Sequence, residues 1–397
     1  MEVCGKLTCM KILTVDIGTG TQDIYLYNSN LDMENNFKLV VPSPTMIIHR
    51  QIEQATRHGE PILLTGVTMG GGPSTWATEA HIRAGLTVYA TPEAARTFND
   101  DLAAVKEMGI QVVSEDEANL LSATIRRLRL RDFDFVSIAR AFQTFGITLD
   151  HLEAVAIGVF DHGNAPANVS DRKFRFDYLD ERIRMLNRLS AFAYRGEDVP
   201  AIMTRLQSVV DSAQDIEIPL VVMDTAPAAI LGATLDPKVA ERERVIIANV
   251  GNFHTLAFRM GKNGIEGLFE HHTGLLDIDK LESLLMALAE GKIRREDVFN
   301  DQGHGALMYD RTSLPLGVGE YDVVLTGPRR KLFRSGGPYK RPLSLRPYYP
   351  ASYGDMMITG CFGLLAAIAD VMPELAGPIC ASLYNASGSG VAPWDTD

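Results

Sequence analysis

Two short glycine-bearing segments do most to limit what this chain can fold into. Val15-Asp16-Ile17-Gly18-Thr19-Gly20-Thr21 recurs in kind as Ala248-Asn249-Val250-Gly251-Asn252-Phe253-His254, more than half the chain later. Each is an apolar strand-like run ending in a short polar side chain, then a polar tip, then a second strand-like run. A polar hairpin tip at two matched places is what two facing half-domains of similar build would present.

The periodicity around these tips reads as α/β throughout. Strands are predicted at Lys11–Ile17, Asp23–Tyr27, Phe37–Val41, Pro61–Thr68, Gln111–Ser114, Ala154–Phe160, Ile218–Asp224, Arg244–Val250, Thr255–Met260 and Asp322–Thr326. Helices are predicted at Pro44–Arg57, Ser74–Ala84, Asp100–Met108, Tyr178–Ala193, Val199–Ala213, Ala226–Ala233, Ile278–Ala289 and Gly354–Asp370. Asp177 and Asp198 suit helix N-caps, while Gly85 and Gly109 suit helix stops. A chain of 397 residues is long enough for two or three domains. The apolar share of 46% and charged share of 22% are those of a globular protein.

Composition also excludes some function classes. With 38 basic and 50 acidic side chains the net charge is −12, which disfavours binding to nucleic acid or anionic lipid. The four cysteines, Cys4, Cys9, Cys361 and Cys380, are too scattered for a disulfide framework or a four-thiolate zinc site. The apolar stretch Met356–Ala369 is bracketed by Asp355 and Asp370 and is too short to span a bilayer. The first nine residues lack the pattern of a signal peptide. The expectation is a cytoplasmic protein with a short tail at 1–9 and a loose, glycine-rich tail at 382–397.

An acidic protein can still bind phosphate, because successive backbone N–H groups form anion nests. At the first tip Gly18, Thr19, Gly20 and Thr21 would let the backbone approach a phosphate closely. Asp16, at the mouth of the turn, is placed to hold a hydrated Mg²⁺, which prefers one or two carboxylates plus phosphate oxygens. The plainer alternative is a glycine-rich hairpin with a solvated carboxylate. The segment is not a Walker loop, since no Gly-Lys-Ser/Thr follows, nor a dinucleotide fingerprint, since a strand follows it.

The order of five motifs resembles that of the actin-like ATPase superfamily, which includes actin, the seventy-kilodalton heat-shock chaperones, hexokinase and acetate kinase. Asp16-Ile-Gly-Thr-Gly-Thr21 is similar to its first phosphate motif and Asn249-Val-Gly-Asn-Phe-His254 to its second. Val222-Met-Asp-Thr-Ala-Pro-Ala-Ala229 resembles the first connecting segment, Val323-Val-Leu-Thr-Gly-Pro-Arg-Arg330 the adenosine motif, and Gly354–Asp370 the closing connecting helix. The stretches TGVTMGGGPS, VFDHGNAP and EHHTG further resemble a prokaryotic family often labelled pyruvate formate-lyase activating enzyme.

The superfamily resemblance implies an α/β fold of two ribonuclease H-like lobes: residues 10–240, with an α/β subdomain inserted at about 61–131, and residues 241–381. ATP and Mg²⁺ would lie between the lobes. Ala226, Ala228, Ala229, Gly232 and Ala233 would let two helices cross closely at the hinge, with Gly360 and Gly363 opposite. Gly18, Thr19, Gly20 and Thr21, with Gly251, Asn252 and His254, would clamp phosphates. Gly327 would approach adenosine, with Arg329 or Arg330 stacking on it or reaching phosphate. Asp16 and Asn249 would stand on the metal side, although many relatives carry Asp at the second position. Asp224 would be the general base, the competing reading being a helix N-cap.

Three polar clusters remain. Asp161-His162-Gly163 follows a strand at the end where α/β sites usually lie, as an acid/base pair, a metal contact or a polar turn. Thr68–Ser74 runs from a strand into a helix and suits either a second-substrate anion or a tight turn. His271-His272 and His304 show no His-x-x-x-His spacing or carboxylate partner that would mark zinc. The functional expectation is a Mg-ATP-dependent phosphotransferase acting on a small hydroxyl- or carboxyl-bearing metabolite. The alternatives are an ATPase switch acting on a partner protein and a nucleotide-fold scaffold without turnover. Radical activation is not expected, because no Cys-x-x-x-Cys-x-x-Cys is present.

Overall fold

The computed structural model describes residues 9–166, 168–333 and 343–384. Among these the chain forms three sheets. The first is built on β1 (Lys11–Ile17), β2 (Thr21–Asn28) and β3 (Phe37–Pro42). A smaller sheet follows, of β4 (Ile62–Gly66), β5 (Val88–Ala90), β6 (Ile110–Val112) and β7 (Arg126–Leu130). The first sheet is then completed by β8 (Leu152–Val159), β9 (Ala193–Arg195) and β10 (Leu220–Asp224). The last sheet contains β11 (Val245–Val250), β12 (His254–Gly261), β13 (Gly264–His272), β14 (Gly305–Met308), β15 (Val323–Thr326) and β16 (Pro347–Tyr348).

The two large sheets repeat one plan. Their orders are β3-β2-β1-β8-β10-β9 and β14-β13-β12-β11-β15-β16. In each, the first strand pairs antiparallel with the second and the second with the third, while two later strands add in parallel on the other side. That is the ribonuclease H-like arrangement, present twice. The molecule thus has the α/β actin-like ATPase architecture, with a parallel four-stranded sheet inserted between β3 and β8.

Burial explains why these runs become central strands. β1 and β8 lie in the middle of the first sheet, covered on both faces, and Val155, Ile157, Leu13 and Val15 are fully enclosed. Central strands covered on both faces need near-continuous apolar sequence, which LEAVAIGV supplies and KILTVDI approaches, with its Thr14 buried as well. The helices Thr225–Ala233 and Thr359–Val371 cross where Gly232 meets Thr359 and Gly363 meets Ala228. A Cβ on either glycine would overlap the facing carbonyl oxygen. The small-residue stripe is thus a backbone-to-backbone crossing.

Several boundaries differ from the sequence-based expectation. The helix expected at Tyr178–Ala193 runs Asp171–Met185 and starts after Ser170, so Asp177 is inside it. It ends early because Asn187 is held by both backbone groups of Ile265, which turns the chain toward β9. The helix expected from Val199 begins at Thr204. Asp198 does not cap it; Asp161, distant in sequence, accepts the Leu206 N–H at 2.9 Å instead. β13 follows a hairpin at Lys262-Asn263, where Gly264 takes φ 109° and leaves no room for a Cβ against Asn187. Of the expected tails, only Cys9 and residues 382–384 are among the described residues, and 382–384 close the helix Ala376–Tyr384. No single described helix is long and apolar enough to cross a membrane.

Candidate functional site

The two hairpin tips meet across a cavity of about 540 Å³ between the lobes. They close with the same bond: Gly18 N–H donates to Thr21 O at 2.9 Å, and Gly251 N–H to His254 O at 2.9 Å. Ser43 supports the first tip, its hydroxyl donating to Thr19 O at 2.6 Å. The tips nearly touch, since a Cβ on Gly20 would lie 3.3 Å from the Asn252 side-chain Nδ2. Gly18, Thr19, Gly20, Thr21, Gly251, Asn252, His254 and Gly327 all line the cavity. The inserted subdomain covers one side, where Trp76 of its helix Pro73–Arg83 packs edge-on against Phe253 at 5.6 Å.

Asp16, the next-to-last residue of β1, lines this cavity and pairs in register with Asp23 of β2. The Asp16 Oδ1 accepts the Thr225 hydroxyl at 2.5 Å. Its Oδ2 lies against the backbone of the helix Thr359–Val371, where any Cβ on Gly360 would overlap it. Burial pushes the Asp16 carboxyl up to about 6. Burial, with Asp16 beside it, pushes Asp23 up to about 7. Asp23 Oδ1 is enclosed without a hydrogen-bond partner. Two adjacent carboxylates, one with an orphaned oxygen, are costly to keep ionised unless a cation joins them. These residues therefore fit Mg²⁺, whose hydrated form takes one or two carboxylates.

The other expected site residues divide. Asn249 lines the cavity, and a Cβ on Gly327 would overlap its Oδ1, so this side chain is turned toward the adenosine-motif loop. In that loop Arg329 is exposed and is not among the lining residues. Arg330 does line the cavity, folded back so that it donates to Gly327 O at 2.7 Å. Asp161 reaches the cavity, yet its carboxylate accepts the Gly163 and Leu206 N–H groups. His162 lies beside it, and burial, then His254, push its ring well below the usual histidine range.

Asp224 departs most from expectation. It is absent from the cavity lining. One oxygen caps the helix Thr225–Ala233 through the Ala226 N–H at 3.0 Å. The other binds the Arg175 guanidinium at 2.8 Å. Arg175 is itself 1% exposed and also binds Glu270 at 2.7 Å and Asp161 O at 2.8 Å, with its guanidinium 4.1 Å from the Phe160 ring. The cap reading therefore describes where this carboxylate sits. The proton-accepting position expected of it is taken up by a buried arginine joining Asp224 of the first sheet to Glu270 of the second.

Four histidines converge on this floor. His162 follows β8, His254 opens β12, His272 ends β13 and His304 precedes β14. His254 stacks on Phe160 at 4.3 Å, and the His304 ring lies 4.9 Å from His254, 4.7 Å from His272 and 5.4 Å from His162. Burial pushes His304 down to about 3, the nearby Glu270 carboxylate only partly opposing this. His271, the neighbour of His272, points away and meets Asp301 at 3.1 Å. Sequence reasoning missed this assembly, along with Asp23, Arg175 and Glu270, because its members come from separate elements. The available signal is the alternation of Glu270 and His272 along β13, a run outside the strands expected from the sequence.

The loop Thr68–Ser74 is also pinned to the cleft. Gly70 N–H donates to both Asp132 oxygens at 3.2 Å, and Asp132 binds Arg205 at 2.7 Å. Thr68, Gly70, Arg96, Asp100 and Arg205 line this end of the cavity.

A family model described as "Putative pyruvate format-lyase activating enzyme (DUF1786)" matches residues 69–332, and the chain belongs to that family. No protein of curated function matches it. Among solved structures it is similar to a ROK family transcriptional regulator, a homologue of the E. coli MLC protein, at 9% identity and TM-score 0.25. That match covers 64% of this chain and 38% of the other. The ROK hexokinase from Thermus thermophilus is similar at 12% identity and TM-score 0.22, covering 64% of this chain and 48% of the other. The ethanolamine utilization protein EutJ from Carboxydothermus hydrogenoformans is similar at 11% identity and TM-score 0.29, over 89% of this chain and 88% of that one. This chain thus spans less than half the length of the first two structures.

Proposed function

We propose that this family member binds Mg-ATP between its lobes and transfers the terminal phosphoryl group to a small hydroxyl- or carboxyl-bearing metabolite. The observation that carries the reading is the meeting of two equivalent hairpin tips over the paired carboxylates Asp16 and Asp23. Phosphoryl transfer is largely a matter of positioning and charge neutralisation, so a phosphate clamp and a metal seat are its main requirements.

In this reading the two tips, Gly18 to Thr21 and Gly251 to His254, clamp the phosphates by the backbone N–H groups beyond Gly18 and Gly251, whose own N–H groups close the turns. Asp16 and Asp23 would hold the hydrated Mg²⁺, and Asn249 lines the same cavity. When bound, the ion neutralises phosphate charge and orients the oxygens. Gly327 and Arg330 border the adenosine end. The acceptor enters at the opposite end, between the Thr68–Ser74 loop and Arg205. Asp224 keeps Arg175 in place and does not itself take a proton.

A second reading, an ATPase switch acting on a partner protein, is favoured by one feature. The close crossing of Thr225–Ala233 with Thr359–Val371 joins the lobes next to Asp16, so cleft occupancy would bear directly on lobe angle. The family description names an activating enzyme; the chain has no Cys-x-x-x-Cys-x-x-Cys, and Cys361 is buried against β1. Measuring ADP release with purified chain separates the readings. A phosphotransferase is stimulated several-fold or more by a small hydroxyl or carboxyl compound. Slow turnover indifferent to every such compound, but accelerated by a protein fraction, would overturn it in favour of the switch.

A further inference from the structure

The structure assigns a second metal site, separate from the Asp16–Asp23 seat: we propose that His162, His254 and His304 bind one divalent transition-metal ion. Each ring offers one nitrogen, and the three nitrogens lie within 4.8 Å of one another. Small side-chain rotations would close that spacing onto bonds of about 2.0–2.1 Å. Three imidazoles with no thiolate suit zinc and its neighbours rather than Mg²⁺, which prefers oxygen.

Unsatisfied polar atoms point the same way. His254 Nδ1, His304 Nδ1 and Glu270 Oε1 are all enclosed without a hydrogen-bond partner. Glu270 is fully buried, and its Oε1 stands 3.0 Å from His254 Nδ1 and 3.8 Å from His304 Nδ1, off the hydrogen-bond line in both cases. A carboxylate behind ligating histidines is the usual outer support of such sites, fixing ring orientation and basicity. Charge agrees as well. Arg175 is matched against both Asp224 and Glu270, so this buried group carries one negative charge in excess. A dication bearing a hydroxide would cancel it.

The site is of the open kind. His304 is 1% exposed, whereas His162 and His254 both line the interlobe cavity. Three protein ligands leave a fourth position for water or a substrate oxygen, as in catalytic rather than structural zinc sites. That position opens onto the same cavity as the hairpin tips.

The test uses the full chain, stripped with a chelator and titrated with Co²⁺ and Zn²⁺ in the absence of nucleotide. The expected result is one equivalent bound, with visible Co²⁺ absorption of a four-coordinate nitrogen site that Zn²⁺ displaces and Mg²⁺ does not. His162→Gln and His304→Ala should each lose most of that absorption, while Glu270→Gln should weaken Zn²⁺ about 10–100-fold. Circular dichroism of each variant separates lost ligation from lost folding. No Co²⁺ absorption by the wild type, or Zn²⁺ binding equal in wild type and a folded His162→Gln, would overturn the proposal. Neither result bears on the nucleotide reading.

Discussion

At the residue scale the sharpest feature is the contact between Asp16 and Gly360. The helix carrying Gly360 comes so close that any side chain there would overlap the carboxylate. Gly360→Ala should therefore displace Asp16 or the helix, costing on the order of 1–3 kcal/mol and weakening Mg²⁺ binding, as measured by denaturant unfolding and Mg²⁺ titration. The carboxylate pair also fixes a pH dependence. Both carboxyls are raised in the folded chain from the ordinary 3.8, Asp16 to about 6 and Asp23 to about 7. The folded state therefore holds protons that the unfolded chain has released. The resulting stability is fully present below about pH 4 and is lost as the pH rises through 6 and 7. Metal-free protein should lose melting temperature over that range, and Mg²⁺ should restore more at pH 8 than at pH 5. Asp23→Asn should flatten the slope; a variant with the wild-type slope would contradict the assignment.

Arg175 belongs to the same scale. It holds two buried carboxylates, and losing it would leave both without their cation. Arg175→Met is expected to destabilise the chain by about 3–5 kcal/mol in equilibrium unfolding. Asp224→Asn keeps the helix cap and weakens only the ion pair, so it should cost less than Arg175→Met. A turnover loss in Asp224→Asn with unchanged stability would instead return Asp224 to the role of base.

At the scale of elements, the strands at the centres of the sheets were legible, because a run such as Lys11–Ile17 must be apolar on both faces. The tips were legible too, since glycine is needed where Gly251 packs on the His254 carbonyl. What the sequence could not convey was long-range capping and pairing. The start of Thr204–Ser212 is set by Asp161, more than forty residues earlier. The histidine cluster draws on four segments, so no local spacing marks it. Arg175 lies ahead of the helix start that local sequence suggests at Tyr178, and its partners lie on two different sheets. The helix crossing carries its own prediction. Gly232→Ala would drive a methyl into the Thr359 carbonyl, and should destabilise more than Gly377→Ala, which meets open space. Equal unfolding midpoints would contradict the observed crossing.

At the scale of the whole molecule, two copies of one sheet plan face each other and are tied at two depths. The helix crossing joins them beside Asp16, and Arg175 joins them at the floor through Asp224 and Glu270. The helix Asp171–Met185 adds to the second tie, since Phe176, Leu179 and Ile183 pack with Leu256, Phe258 and Leu268 of the far lobe. The inserted subdomain reaches the second hairpin tip through Trp76 of its helix Pro73–Arg83, which meets Phe253.

The proposed function makes the cleft a Mg-nucleotide site seated on Asp16. Calorimetric titration of the purified chain with a non-hydrolysable Mg-ATP analogue tests it most directly, with Asp16→Ala as the comparison. Saturable binding of one nucleotide per chain is expected, lost or weakened at least tenfold in the variant. Absence of binding at millimolar nucleotide, or equal affinity in the two proteins, would contradict it.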